Sequence, residues 1–155
     1  MALLKEVNEK VYKIIGSCME VHKTLGPGYP VEFYNKALEV EMPLRELSFE
    51  RDKTIQVNFK DTLVGTLSLD FFVDGKVVLI TRSQEGLKDF EIQQVLRCLS
   101  LTGSPIGVLV NFGQLKIQYK RVLPSHQQRE IRKDHHYRYT GYREIGKTRE
   151  GNPVI

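Results

Sequence analysis

An α/β fold is what the sequence predicts: a mixed sheet flanked by helices, with two helices ahead of the first strand. Three observations predict it. Two apolar patterns of helical period open the chain and are broken only by LGPGYP, residues 25–30. An Asp-Gly pair joins two β-rich runs within LDFFVDGKVVLITRS, residues 69–83. A wholly apolar run, IGVLVNF, follows a third helical pattern, as a covered strand follows a crossover helix.

Each element has its own signal. Residues 4–24 place Leu4, Val7, Val11, Ile14, Ile15, Cys18 and Val21 on one helical stripe. Residues 31–46 resume as a second helix, with Phe33, Tyr34, Ala37, Leu38 and Val40 or Met42 expected inside; Pro43 kinks or ends it. In residues 48–59 the alternation points Ile55, Val57 and Phe59 one way. KDTLVG turns the chain, TLSLDFFV is the second strand and KVVLITR the third. Residues 87–101 form the third helix, its apolar contacts expected from Phe90, Val95, Leu96, Leu99 and Leu101. IGVLVNF and KIQYKRV complete the sheet.

Composition bounds the function classes. At 155 residues, 41% hydrophobic, the chain can bury one sizeable core. Residues 1–120 are read as that domain and 121–155 as a basic extension. The first 120 residues hold fifteen Lys/Arg against fifteen Asp/Glu, and the extension holds eight against four, so the whole +4 lies in the tail. Neither a signal-peptide core nor a membrane-length apolar run is present in the sequence, and no membrane partner is expected. Cys18 and Cys98, outside any CxxC pair, read as buried free thiols, which points to a cytoplasmic or other intracellular setting.

VHKTLGPGY…FYNKAL, the LDFFVDGKVVL hairpin and QVLRCLSLTG…IGVLVNFG occur in an order that resembles the small GxxExxY proteins of the PD-(D/E)XK nuclease-like superfamily, over roughly residues 8–120. The resemblance implies a restriction-endonuclease-like core. It matches the first acidic metal ligand of that superfamily to Asp70, the helix glutamine to Gln94 and a first-helix histidine to His22. Gly28 and Tyr34 fill the outer places of the GxxExxY pattern. Val31 stands where its glutamate would be, with Glu32 beside it. The E-x-K signature falls on Ile80, Thr81 and Arg82.

Metal-dependent phosphodiester hydrolysis needs carboxylates that hold Mg²⁺ or Mn²⁺ and lower the pKa of a bound water. In E-x-K, a period of two brings acid and lysine to one strand face. Here Asp70 remains, Ile80 cannot ligate a metal, and Arg82 keeps a charge but cannot act as a base. On these grounds the resemblance implies a degenerate site: Asp70, Arg82, Gln94, Glu32 and His22 mark a vestigial cleft. No cofactor is expected, and Mg or Mn only if the site has migrated, for example to Glu32 or Glu85. The plainer readings are a cross-strand hydrogen bond for Asp70, a strand-end cation for Arg82, a backbone contact for Gln94, and a helix end or packing beneath the GPG turn for His22.

The tail segment HHYRYTGYR interleaves aromatic and basic side chains, with Arg138, Tyr139, Tyr142 and Arg143 as its binding candidates. Such side chains suit a protein contact or self-association, and also stacking on nucleic acid. His126, His135 and His136 lack the spacing and companion cysteines of a zinc site. The expected functions, in order, are a non-catalytic scaffold or interaction subunit, a non-cleaving nucleic-acid binder, and a nuclease with a migrated site.

Overall fold

The computed structural model describes residues 2–124, with side chains from residue 4. Two helices come first, α1 (Ala2–Leu25) and α2 (Val31–Leu44). Three strands follow: β1 (Phe49–Phe59), β2 (Thr62–Val73) and β3 (Val77–Arg82). Helix α3 (Asp89–Thr102) then crosses to β4 (Ile106–Asn111), and β5 (Gln118–Val122) pairs beside it. The sheet runs β1-β2-β3-β4-β5. All its pairs are antiparallel except β3–β4, the pair that the α3 crossover makes parallel. The predicted class and element order therefore hold. Among the described residues no helix is long and apolar enough to cross a membrane.

The core lies in two layers. On one face, Val7, Val11, Ile14, Ile15, Cys18 and Val21 of α1 join Tyr34, Leu38 and Met42 of α2 against Phe71, Val73, Leu79, Val108 and Val110. On the other, Ile92, Val95, Leu96, Cys98 and Leu99 of α3 pack on Leu69, Val78, Ile80 and Leu109. Burying each large apolar side chain contributes about 1.5–3 kcal/mol. A β-carbon on Gly107 would stand 2.7 Å from Val95 Cγ1, so the glycine lets α3 lie close on β4.

Several expected core residues are instead exposed. Leu4, Phe33, Phe59, Phe90 and Leu101 face outward, and of Val40 or Met42 the buried one is Met42. In α2 the buried set is Tyr34, Asn35, Leu38 and Met42, a stripe turned away from Phe33, which stacks on Tyr29 with ring centroids 5.3 Å apart. Helix α2 ends at Leu44 rather than 46, and α3 starts at Asp89 rather than 87. Strand β2 begins at Thr62, not Thr66, because Lys60 (φ 49) and Asp61 (φ 68) alone make the turn from β1. Only Phe71–Val73 of β2 pair with β3, so the outer part of β1–β2 projects as a two-stranded arm. Phe59 lies near its tip.

Tyr34, the tyrosine of the GxxExxY pattern, ties the LGPG turn to the core. Its ring stacks on Phe112 at 4.5 Å, and its hydroxyl donates to the Gly26 carbonyl at 2.5 Å and accepts from the Tyr29 N–H at 3.2 Å. Tyr34→Phe is expected to cost about 1–2 kcal/mol, and Tyr34→Ala about 3–5 kcal/mol. Urea unfolding of the two variants checks this; equal losses would show that the hydroxyl, not the ring, carries the effect.

Candidate functional site

Asp70 sits where β2 parts from β3. Leu69 packs on the α3 side, whereas Phe71 and Val73 pack on the α1/α2 side and Phe72 on the α3 side. Regular alternation would put residues 69 and 71 on one face, so the strand slips at Asp70. Opposite it, Asp52 holds φ 52 and the 52–70 pair drops out of the β1–β2 ladder. Just beyond the last β2–β3 backbone pair, the Asp70 carboxylate accepts the Thr81 N–H at 3.0 Å. It therefore makes the cross-strand bond of the plainer reading. The Thr81 hydroxyl turns the other way and donates to Asn35 of α2 at 2.6 Å, a fully buried link.

Arg82 is held from four sides. Its guanidinium lies 3.7 Å from the Asp70 carboxylate and 3.2 Å from that of Glu91, and donates to Gln94 Oε1 at 3.3 Å and the Thr81 carbonyl at 2.8 Å. The structure thus brings Asp70, Arg82 and Gln94 together. Glu91 was not foreseen. It is 8% exposed, caps α3 by accepting the Lys88 N–H at 2.8 Å, and accepts from Gln84 at 2.7 Å as well as from Arg82. An acid three residues after the N-cap is a legible capping signal, and it lies in KDFE.

Glu32 and His22 make their contacts elsewhere. Glu32 reaches Arg51 at 3.4 Å; Arg51 also binds Glu39, donates to the Asp70 carbonyl at 3.0 Å, and lies over the Phe71 ring. An arginine thus stands between Glu32 and the strand of Asp70. His22 meets the Gln114 carbonyl through Nε2 at 2.8 Å, so it ties α1 to the loop after β4 rather than capping the helix. Asn111 joins that loop to the one after β3: its amide contacts Gln84 N and O at 3.0 Å each, and a β-carbon on Gly113 would fall 2.3 Å from the Gln84 backbone. Arg138, Tyr139, Tyr142 and Arg143 lie outside the described residues.

Burial sets the electrostatics of the site. Burial pushes the Asp70 carboxyl up from its ordinary value, and the Thr81 N–H, Arg82 and Arg51 only partly oppose it. Burial also pushes the thiols up, Cys18 to about 12 and Cys98, near Asp70, to about 11. Ile80, which the resemblance aligns with the acid of E-x-K, is 4% exposed within the α3 layer. Among the described residues no three His, Cys, Asp or Glu side chains gather to hold a metal ion. A cleft of about 540 Å³ opens beside Arg82, lined by Gln84, Glu85, Lys88, Phe90, Glu91 and Gln94 among others. Its lining charges, Arg82 and Lys88 against Glu85 and Glu91, cancel.

The family model of the PD-(D/E)XK nuclease superfamily matches residues 8–122. No curated protein matches the chain. Among solved structures, one titled "Crystal structure of SSO0001" is similar, with 16% identity and a TM-score of 0.47. The match covers 60% of this chain and 49% of that one, so the chain matches about half that protein's length.

Proposed function

The chain belongs to the PD-(D/E)XK nuclease superfamily, and from that premise we propose that it is a non-cleaving member, a nuclease-like domain kept for holding a protein partner. The observation that carries the reading is the set of contacts around Arg82. The guanidinium pairs with Asp70 and Glu91 together. An arginine in this position clamps carboxylates and does not deprotonate. Glu91 is committed to Lys88, Gln84 and Arg82, so it has little left to offer a cation. Mg²⁺ in hydrolytic sites leans on one or two carboxylates plus substrate phosphate. Here the donors do not fit one: Asp70 is already satisfied by an N–H and a guanidinium, and Ile80, beside Thr81 on β3, is an apolar core residue.

A protein partner is favoured over nucleic acid by charge. Residues 1–120 balance, and the cleft beside Arg82 is neutral, so no positive field draws a polyanion to the site. Incubation with single- and double-stranded DNA and RNA in Mg²⁺ or Mn²⁺ tests the reading. No cleavage above the Asp70→Ala background is expected. Cleavage that this substitution abolishes would overturn the proposal, and steeply salt-dependent binding without cleavage would favour the nucleic-acid binder.

A further inference from the structure

Among the described residues the sheet has one long open edge. Strand β1 is terminal in the strand order, so one side of its backbone lacks a ladder partner. Long edges are usually blunted by charge, proline or a bulge. Asp52, at φ 52, interrupts the inner half in that way. The outer half, TIQVNF from Thr54 to Phe59, has no charge, proline or glycine. Thr54, Gln56 and Asn58 are exposed on one face, Ile55 and Val57 are half-buried on the other, and Phe59 is 62% exposed at the end.

We propose that this segment pairs antiparallel with the same segment of a second copy of the chain, about a two-fold axis through Gln56. Gln56 is the midpoint of the run from Lys53 to Phe59. Pairing about it sets Ile55 opposite Val57, Thr54 opposite Asn58 and Lys53 opposite Phe59 of the second copy. One step further, Asp52 meets Lys60 of the second copy, so opposite charges close both ends and no like charges face each other. The two-fold axis stands perpendicular to the sheet and keeps both α3 helices on one side. The stripes Ile55, Val57 and Phe59 then join into one, which covers the phenylalanine that a single copy leaves in water. The charge balance of residues 1–120 leaves no net charge on the part of the chain that carries this edge.

The inference deepens the non-cleaving reading by naming one partner. It is tested separately: a monomeric protein would remove the dimer and leave the cleavage result untouched. Sedimentation of the full chain across the micromolar range is expected to show a concentration-dependent dimer. Gln56→Lys sets two ammonium groups opposite each other at the axis and is expected to weaken that dimer by about tenfold or more, with thermal stability of the monomer unchanged. Gln56→Cys is expected to oxidise to a linked dimer, because paired residues in an antiparallel ladder lie within disulfide reach. Thr54→Cys, opposite Asn58, is expected to link far more slowly; the native cysteines are buried. A wild type that is monomeric throughout, a dimer indifferent to Gln56→Lys, or equal linking of the two cysteine variants would each overturn the proposal.

Discussion

Arg82→Ala is expected to lower unfolding stability by about 2–3 kcal/mol near neutral pH, less than the loss for a fully buried pair, and to recover much of it in mild acid. The guanidinium is 29% exposed, so solvent screens part of the interaction. Without it, Asp70 and Glu91 keep their hydrogen-bond donors and lose their shared cation. Burial already raises the Asp70 pKa, and Arg82 is one of the groups that restrain it. Removing Arg82 raises it further. An acid with a raised native pKa binds protons more readily folded than unfolded, so stability falls as pH climbs from the unfolded value through the native one. The variant's deficit should therefore be greatest above that window and shrink below it. Urea melts at neutral and mildly acidic pH measure the difference, and a deficit that does not change with pH would assign the loss to packing of the arginine stem. Arg82→Lys keeps the charge and loses the planar fork, so its deficit should be roughly half as large.

What the sequence made legible, and what it did not, follows from how each residue is fixed. Periodicity placed the inner face of α1 from Val7 to Val21, because one helix against one sheet leaves little choice of stripe. The Asp-Gly hairpin and the buried β4 were legible for similar local reasons. The stripe of α2 was legible in part: Tyr34, Leu38 and Met42 are buried as expected, and Phe33 is not. Phe33 and Tyr34 are adjacent and both apolar enough, and the choice fell to Tyr34 because its hydroxyl satisfies the Gly26 carbonyl while its ring stacks on Phe112. Phe59 alternates correctly with Ile55 and Val57, but β1 runs past the region where α3 can cover it. The site divided the same way. Asp70, Arg82 and Gln94 lie together through the Asp70–Arg82 and Arg82–Gln94 contacts, although the slip at Asp70 departs from the regular strand period. Glu91 was legible only as the cap of α3; its bonds to Arg82 and Gln84, like the roles of Asn35 and the intervening Arg51, depend on which loops and helices meet across the sheet, a relation no local pattern carries.

Ile80 makes the proposed degeneracy testable in reverse. Ile80→Glu alone is expected to cost about 4 kcal/mol or more, since it exchanges an apolar contact with the α3 layer for a buried carboxylate. That loss is a large share of an ordinary domain's stability. Combined with Arg82→Lys, the same change restores the acid-x-lysine order on β3 and removes the fork that occupies Asp70. Two carboxylates then converge near Thr81, and Mn²⁺ gains a reason to bind the folded state. A ligand that binds only the folded protein, at about a hundred times its Kd, adds about 2.7 kcal/mol. For a chain of this length that is a rise of about 5–10 °C in Tm. The expected pattern is a Mn²⁺-dependent rise in the double variant, none in the wild type, and loss of the rise when Asp70→Asn is added. The wild type tests whether Arg82 and Ile80 exclude the metal, and the Asp70→Asn control tests whether Asp70 is the ligand. A double variant that folds but does not respond to Mn²⁺ would mean that position 80 does not face Asp70. The fold would then have lost the geometry of the site, and not only its residues.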